Sequence, residues 1–172
     1  MRKWSADLTT RTGLTFHVRP ALPADEEALG QFFEHLSPED LRFRFLSSVK
    51  AVSHEQLIAM TRTDHRQTES FVAYELGGAP IIATATLACN AGLDVGEVAI
   101  SVSRSHRDMG IGWELLRFIS DFAQAKGVKR LQSLESRANT AAIRLEQELG
   151  FTSQSYDGDS TLVVLEKTLG VS

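Results

Sequence analysis

The run Arg107-Asp108-Met109-Gly110-Ile111-Gly112 places one cation and two closely spaced glycines between stretches of different periodicity. Ahead of it, residues 95–103 alternate, with Val98, Ile100 and Val102 on one face and Glu97, Ala99 and Ser101 on the other, the period of a strand. Behind it, residues 113–126 carry Leu115, Ile119 and Phe122 as an apolar stripe at helical spacing, widened by Leu116 and Ala123. The glycines therefore fall where strand becomes helix. The first turn of a helix has N–H groups without intrahelical partners and about half a positive charge. Glycine lets a ligand approach those groups closely, and Arg107 adds a full charge, so a phosphate or pyrophosphate would suit the junction. Glycines also serve plain turns, and the spacing alone leaves both readings open.

Two other phosphate loops are excluded. No Lys-Ser or Lys-Thr follows Gly112, as a P-loop requires, and the third glycine of a dinucleotide fingerprint would fall at Leu115.

The junction resembles motif A of the GNAT superfamily of N-acetyltransferases, whose acetyl-CoA pyrophosphate loop reads [RQ]-x-x-G-x-[GA]; Arg107, Gly110 and Gly112 fill its defined positions. The later stretch from Asn139 through Ala142, Ile143 and Leu145 to Gly150-Phe151 is similar to the family segment in which an Asn opens a helix lining the CoA arm. Residues 16–20 with Asp25 resemble the family's opening strand and first helix. The resemblance implies acetyl transfer from acetyl-CoA to a primary amine, by direct attack in a ternary complex and without a metal. It assigns the pyrophosphate to Arg107 and the amides of Asp108, Met109, Gly110, Ile111, Gly112 and Trp113. Backbone groups around Ser101 and Val102 would take the pantetheine arm and, through one N–H, the oxyanion; Asn139 would also touch the CoA arm.

Glu97 on its own reads as a surface carboxylate. The resemblance makes it the general base, because the bacterial protein lysine acetyltransferases that modify acyl-CoA synthetases carry a Glu at this place. Ser37-Pro38-Glu39-Asp40-Leu41-Arg42-Phe43-Arg44-Phe45 is similar to a stretch of the same branch. An amine of pKa about 10.4 needs roughly 4 kcal/mol to be deprotonated near neutral pH, and desolvation of Glu97 would raise its proton affinity usefully. The implied acceptor is a protein lysine, with an acyl-CoA synthetase as one such protein. The alternatives are a small-molecule amine and a non-catalytic acyl-CoA-sensing module. The sensing alternative is motivated by two departures: Asp108 in the loop, and Glu146 where many family members have an acidic Tyr. A carboxylate at 146 would repel a departing thiolate unless it were protonated.

The elements that must position these groups follow from the rest of the chain. Its 172 residues are one domain's worth, with 42% hydrophobic and 23% charged residues. Residues 1–13 read as a polar arm, loose or an extra edge strand, before a GNAT domain over 14–172. A short strand over residues 14–19 leads to a helix over 24–36 with Leu29, Phe32, Phe33 and Leu36 on one face. Ser37-Pro38 opens a second helix, where Asp40 is expected to cap back with its carboxylate, and Ser53 to Gln56 a capping box for a third. Strand-like runs over 70–76 and 80–88 meet at Gly77-Gly78 as a hairpin. Strand 129–134, helix 139–149 and a closing hairpin over 151–156 and 161–168 complete an α/β (α+β) fold, a mixed sheet of about seven strands flanked by helices.

A net charge of −4 argues against nucleic acid as the main partner. The N-terminus lacks the apolar segment of a signal peptide, no run approaches a membrane span, and the single Cys89 cannot form an internal disulfide, so the expectation is cytoplasmic. His17, His35, His54, His65 and His106 show no metal-ligand spacing. Monomer and homodimer are both compatible with the sequence.

Overall fold

The computed structural model describes residues 4–46, 52–78 and 80–170. In chain order these form β1 (Ala6–Thr9), β2 (Thr15–Pro20), α1 (Glu26–Glu34), α2 (Pro38–Phe45), α3 (His54–Thr61), β3 (Thr68–Glu75), β4 (Ile81–Cys89), β5 (Val95–Val102), α4 (Ile111–Ala125), β6 (Arg130–Ser136), α5 (Thr140–Glu148), β7 (Thr152–Ser155) and β8 (Leu162–Thr168). The strands make one eight-stranded sheet in the order β1-β2-β3-β4-β5-β6-β8-β7. Only β5 and β6 run parallel.

Each face of the sheet is covered because each helix has a side to bury. α4 presents Leu115, Leu116, Ile119, Phe122 and Ala123 to the sheet, and Phe71 of β3 meets the rings of Phe118 and Phe122 edge-on at 5.2 and 5.0 Å. Each such apolar side chain taken from water contributes about 2 kcal/mol. On the opposite face Leu29, Phe32, Phe33 and Leu36 of α1 and its C-terminal turn pack with Leu41, Val72 and Ile81 into a second core. Ser37 caps α2 by accepting the Asp40 N–H at 3.0 Å, and Ser53 with Gln56 forms the reciprocal capping box of α3.

The eighth strand lies in the N-terminal arm. Ala6 to Thr9 pairs with Val18 to Thr15 across a turn closed by the Thr10 N–H to Leu14 O bond at 2.8 Å, with Gly13 at φ +96°. Four alternating residues are too short a run to be read from pattern alone. The Gly77-Gly78 pair takes positive φ at both residues, as the expected turn requires; Ala79 lies outside the described residues.

The feature that shapes the site is a fork. β5 and β6 are paired only at Val95↔Arg130, Gly96↔Leu131 and Glu97↔Gln132, although β5 continues to Val102 and β6 to Ser136. Beyond Glu97 and Gln132 the two strands part.

Candidate active site

The gap that opens at the fork is a cavity of about 570 Å³, bounded by both strands, the 106–112 loop, α2 and the inner side of α5. Its size is that of a ligand site, and the β6-facing N–H and C=O groups of β5 beyond Glu97 have lost their strand partner.

At one end stands the glycine loop. Asp108 and Gly110 have φ +60° and +88°, so the chain turns through two left-handed residues before α4 begins. Gly110 is required twice over, by that φ and because a Cβ there would sit 3.2 Å from the Cβ of Thr10. Gly112 packs against α5, where a Cβ would lie 3.4 Å from a Leu145 methyl, an ordinary contact that does not by itself require glycine. The first helical bond of α4 is donated by the Glu114 N–H to Gly110 O, which leaves the Ile111, Gly112 and Trp113 N–H groups ahead of it without a helical partner, and Ile111 and Gly112 line the loop end of the cavity. The arm braces this turn, with Thr12 Oγ1 donating to Met109 O at 2.9 Å. The Trp113 ring lies between two guanidiniums, Arg11 at 4.6 Å and Arg117 at 5.2 Å.

Arg107 lines the cavity and is ion-paired with Asp40 of α2. That corrects the expectation for Asp40: its backbone N–H is capped by Ser37, while its carboxylate reaches across to the loop instead of back to its own helix. An anion in the loop and Asp40 would therefore compete for one guanidinium.

Of the residues singled out in the sequence, Ser101, Val102, Arg107, Asp108, Gly110, Ile111, Gly112 and Asn139 line the cavity, whereas Glu97, Met109 and Trp113 do not. Asn139 caps α5 by accepting the Ala142 N–H and directs its Nδ2 at Glu135 Oε1, 3.5 Å away. The Ser101 hydroxyl is buried and unpartnered.

Glu97 stands at the apex of the fork on the face that carries α2, but it is exposed, and the expected desolvation is absent. Its paired neighbours on the adjacent strands are Ala88, also exposed, and Gln132, half-buried. Its nearby charge is Arg44 of α2. Burial pushes that guanidinium's pKa down and the negative charge of Glu97 acts against the shift.

The residue whose surroundings the sequence did not reveal is Glu146. It is 7% exposed on α5 and lines the cavity with Glu135 of β6. Ser133 Oγ lies 2.7 Å from Glu135 Oε2 and 3.0 Å from Glu146 Oε2, one hydroxyl hydrogen between two carboxyls, and Glu146 Oε1 is buried without a partner. Burial first, then the hydrogen bond and charge of Glu135, push Glu146 up to about 10. These surroundings favour the neutral carboxylic acid, the form in which the expected repulsion of a thiolate would not arise. The sequence marked the position as a departure from the family's acidic Tyr and as a carboxylate interrupting the Ile143–Leu149 apolar side of a helix, but gave no sign of its partner Glu135.

Among the described residues no group of three or more His, Cys, Asp or Glu could hold a metal, and no helix is long and apolar enough to cross a membrane.

The sequence profile of the Acetyltransferase (GNAT) family matches residues 31–151. An acetyltransferase of Pseudomonas aeruginosa is 31% identical over 149 residues, covering 86% of this chain and 80% of that protein. The crystal structure of the GNAT domain of S. lividans PAT superposes with a TM-score of 0.90 at 28% identity, covering 98% of this chain and 99% of that one. The spermidine N-acetyltransferase of Vibrio cholerae, solved with CoA and spermine, shares the fold at a TM-score of 0.73 and 14% identity over 89% of this chain and 95% of that one. The loop, the fork and these likenesses agree: the chain belongs to the GNAT family of acetyltransferases, which transfer an acetyl group from acetyl-CoA.

Proposed function

We propose that the protein acetylates the lysine side chain of a protein, by direct attack of the amine on acetyl-CoA in a ternary complex. The observation that carries this reading is the exposure of Glu97 at the apex of the fork. A carboxylate reachable from solvent, with a cation rather than further carboxylates as its charged neighbour, suits a lysine presented on a large partner better than a small polyamine sealed in an acidic pocket. The Ser37 to Phe45 resemblance noted above supports an acyl-CoA synthetase as one such partner.

The proposed roles follow from the placements. Arg107 and the amides at the start of α4 hold the pyrophosphate by charge-assisted hydrogen bonds. The unpaired edge of β5 around Ser101 and Val102 binds the pantetheine arm as an absent strand would, and one N–H there receives the oxyanion. Asn139 borders the same arm. Glu97, directly or through one water, takes the proton that the amine sheds.

Calorimetric titration of acetyl-CoA into wild type and Arg107→Ala tests the first half: binding should weaken tenfold or more in the variant, by about the strength of a hydrogen bond to a charged group. Thiol release over lysine-bearing proteins, lysine peptides and polyamines tests the second. Amine-dependent release that prefers lysine and falls about 100-fold in Glu97→Gln supports the reading. A preference for polyamines moves the acceptor to small molecules, and binding without turnover of any amine makes the protein an acyl-CoA sensor.

A further inference from the structure

The fork separates two carboxyl groups onto opposite faces of the sheet. Glu97 is the last β5 residue paired to β6, and its side chain shares a face with Ala88 and Gln132, the side that carries α1 to α3. The next β6 residue after Gln132 is Ser133, which points to the other face and contacts Glu146 on α5. Both groups thus stand at the level where the strands part, one on each side of the gap. A thioester threaded through the gap would receive its amine from the Glu97 side and release its sulfur on the Glu146 side.

We propose that Glu146 is a catalytic acid, the group that protonates the departing CoA thiolate, and that Glu135 with Ser133 holds it in the protonated form. The proposal rests on the acetyl-transfer reading above. The amine lone pair forms the N–C bond, and collapse of the tetrahedral intermediate breaks C–S with its electron pair leaving on sulfur. Sulfur takes the Glu146 proton, giving CoA thiol and a Glu146 carboxylate, while the nitrogen's surplus proton goes to Glu97. Water then takes one proton from Glu97 and returns one to Glu146, so charge and protons balance over the cycle.

The environment favours this division of labour. Amine attack improves as pH rises, because more of the amine is neutral. An ordinary carboxyl would be ionised throughout that range and useless as an acid, whereas one buried beside a second carboxyl is still loaded. Its free oxygen, Oε1, is buried with no partner. The other charged groups that face the cavity are Glu39, Asp40 and Arg44 from α2 and His106, Arg107 and Asp108 from the loop; Glu135 is the one whose charge acts on Glu146.

The test compares wild type, Glu146→Gln and Glu135→Gln by steady-state kinetics across pH, with CoA binding followed by calorimetry. Glu146→Gln should lower kcat about 100-fold with CoA affinity and KM unchanged, and should abolish the alkaline fall of kcat. Glu135→Gln keeps the acid but removes its neighbour, so the alkaline fall should move to lower pH by about one unit or more. An independent readout is the infrared carbonyl band of a protonated carboxylic acid, present in folded wild type at neutral pH and missing in Glu146→Gln. An active wild type with an indifferent Glu146→Gln, an unmoved profile in Glu135→Gln, or no such band would each overturn the acid role while leaving the transfer reading intact. A wild type that turns over no amine overturns both.

Discussion

Of the three buried carboxyl groups among the described residues, Asp25, Glu69 and Glu146, the first and last are 8% and 7% exposed, and their surroundings push their pKa values in opposite directions. Asp25 sits just ahead of α1 on the side of the second core, gripped by a two-pronged Arg19 guanidinium at 2.7 and 2.8 Å and by the Leu22 N–H at 2.7 Å. Burial pushes its pKa up, but the Arg19 fork and the amide outweigh burial and leave it below the ordinary carboxylate value. Glu146 lies deeper below the surface, with a second carboxylate in place of the guanidinium, and nothing opposes the desolvation except one Ser133 hydroxyl. Depth and partner act together: the guanidinium outweighs burial at Asp25, and the second carboxylate adds to it at Glu146. The ionised group belongs to the scaffold, and the neutral one faces the cavity.

Removing a partner from each pair breaks the comparison most sharply. Asp25→Asn removes the charge that faces the half-buried Arg19 and replaces one of its two acceptor oxygens with a donor, and should cost about 3 kcal/mol in urea unfolding at neutral pH. Because the folded pKa of Asp25 is depressed, its contribution is present above the usual carboxyl range and is lost as pH falls through the folded value, so wild type and variant should converge in acid. For Glu146 the sign reverses. Its folded pKa lies above the unfolded 4.5, so between there and about 10 the native state holds the extra proton and wild type loses stability as pH rises. Relative to Glu146→Gln the loss should reach at most about 1.4 kcal/mol per pH unit, and a parallel pair of stability curves would show that Glu146 is already ionised. The smallest effect concerns the half-exposed Arg107–Asp40 pair: Asp40→Asn should tighten acetyl-CoA binding about twofold to fivefold at low salt, and less at high salt.

What the sequence revealed of this arrangement divides along the same line. The strand, loop and helix around Arg107 to Gly112 are local, and periodicity with two glycines suffices to place them within a residue or two. The cap at Asn139 and the capping box at Ser53 are equally local. The pairings that set the chemistry are not. Asp40 meets Arg107 across 67 positions, and Glu135 reaches Glu146 only because β6 and α5 fold side by side. Glu97 misled in the other direction: an apolar strand suggested a desolvated carboxylate, whereas the residue stands exposed where β5 and β6 part. The arm could be read only as loose or as an extra edge strand, because the four-residue β1 gains its identity from β2.

The placement of the two tryptophans gives the protein a built-in optical signal. Trp4 packs edge-on against Phe118 and Phe122 at 5.9 and 5.1 Å, half-buried against the apolar side of α4. Trp113 is one residue past the second glycine, with the guanidiniums of Arg11 and Arg117 over its ring. A pyrophosphate bound as proposed would change the charge beside this indole and not beside the other, so fluorescence from this single chain should report on loading of the loop and on unfolding without a label.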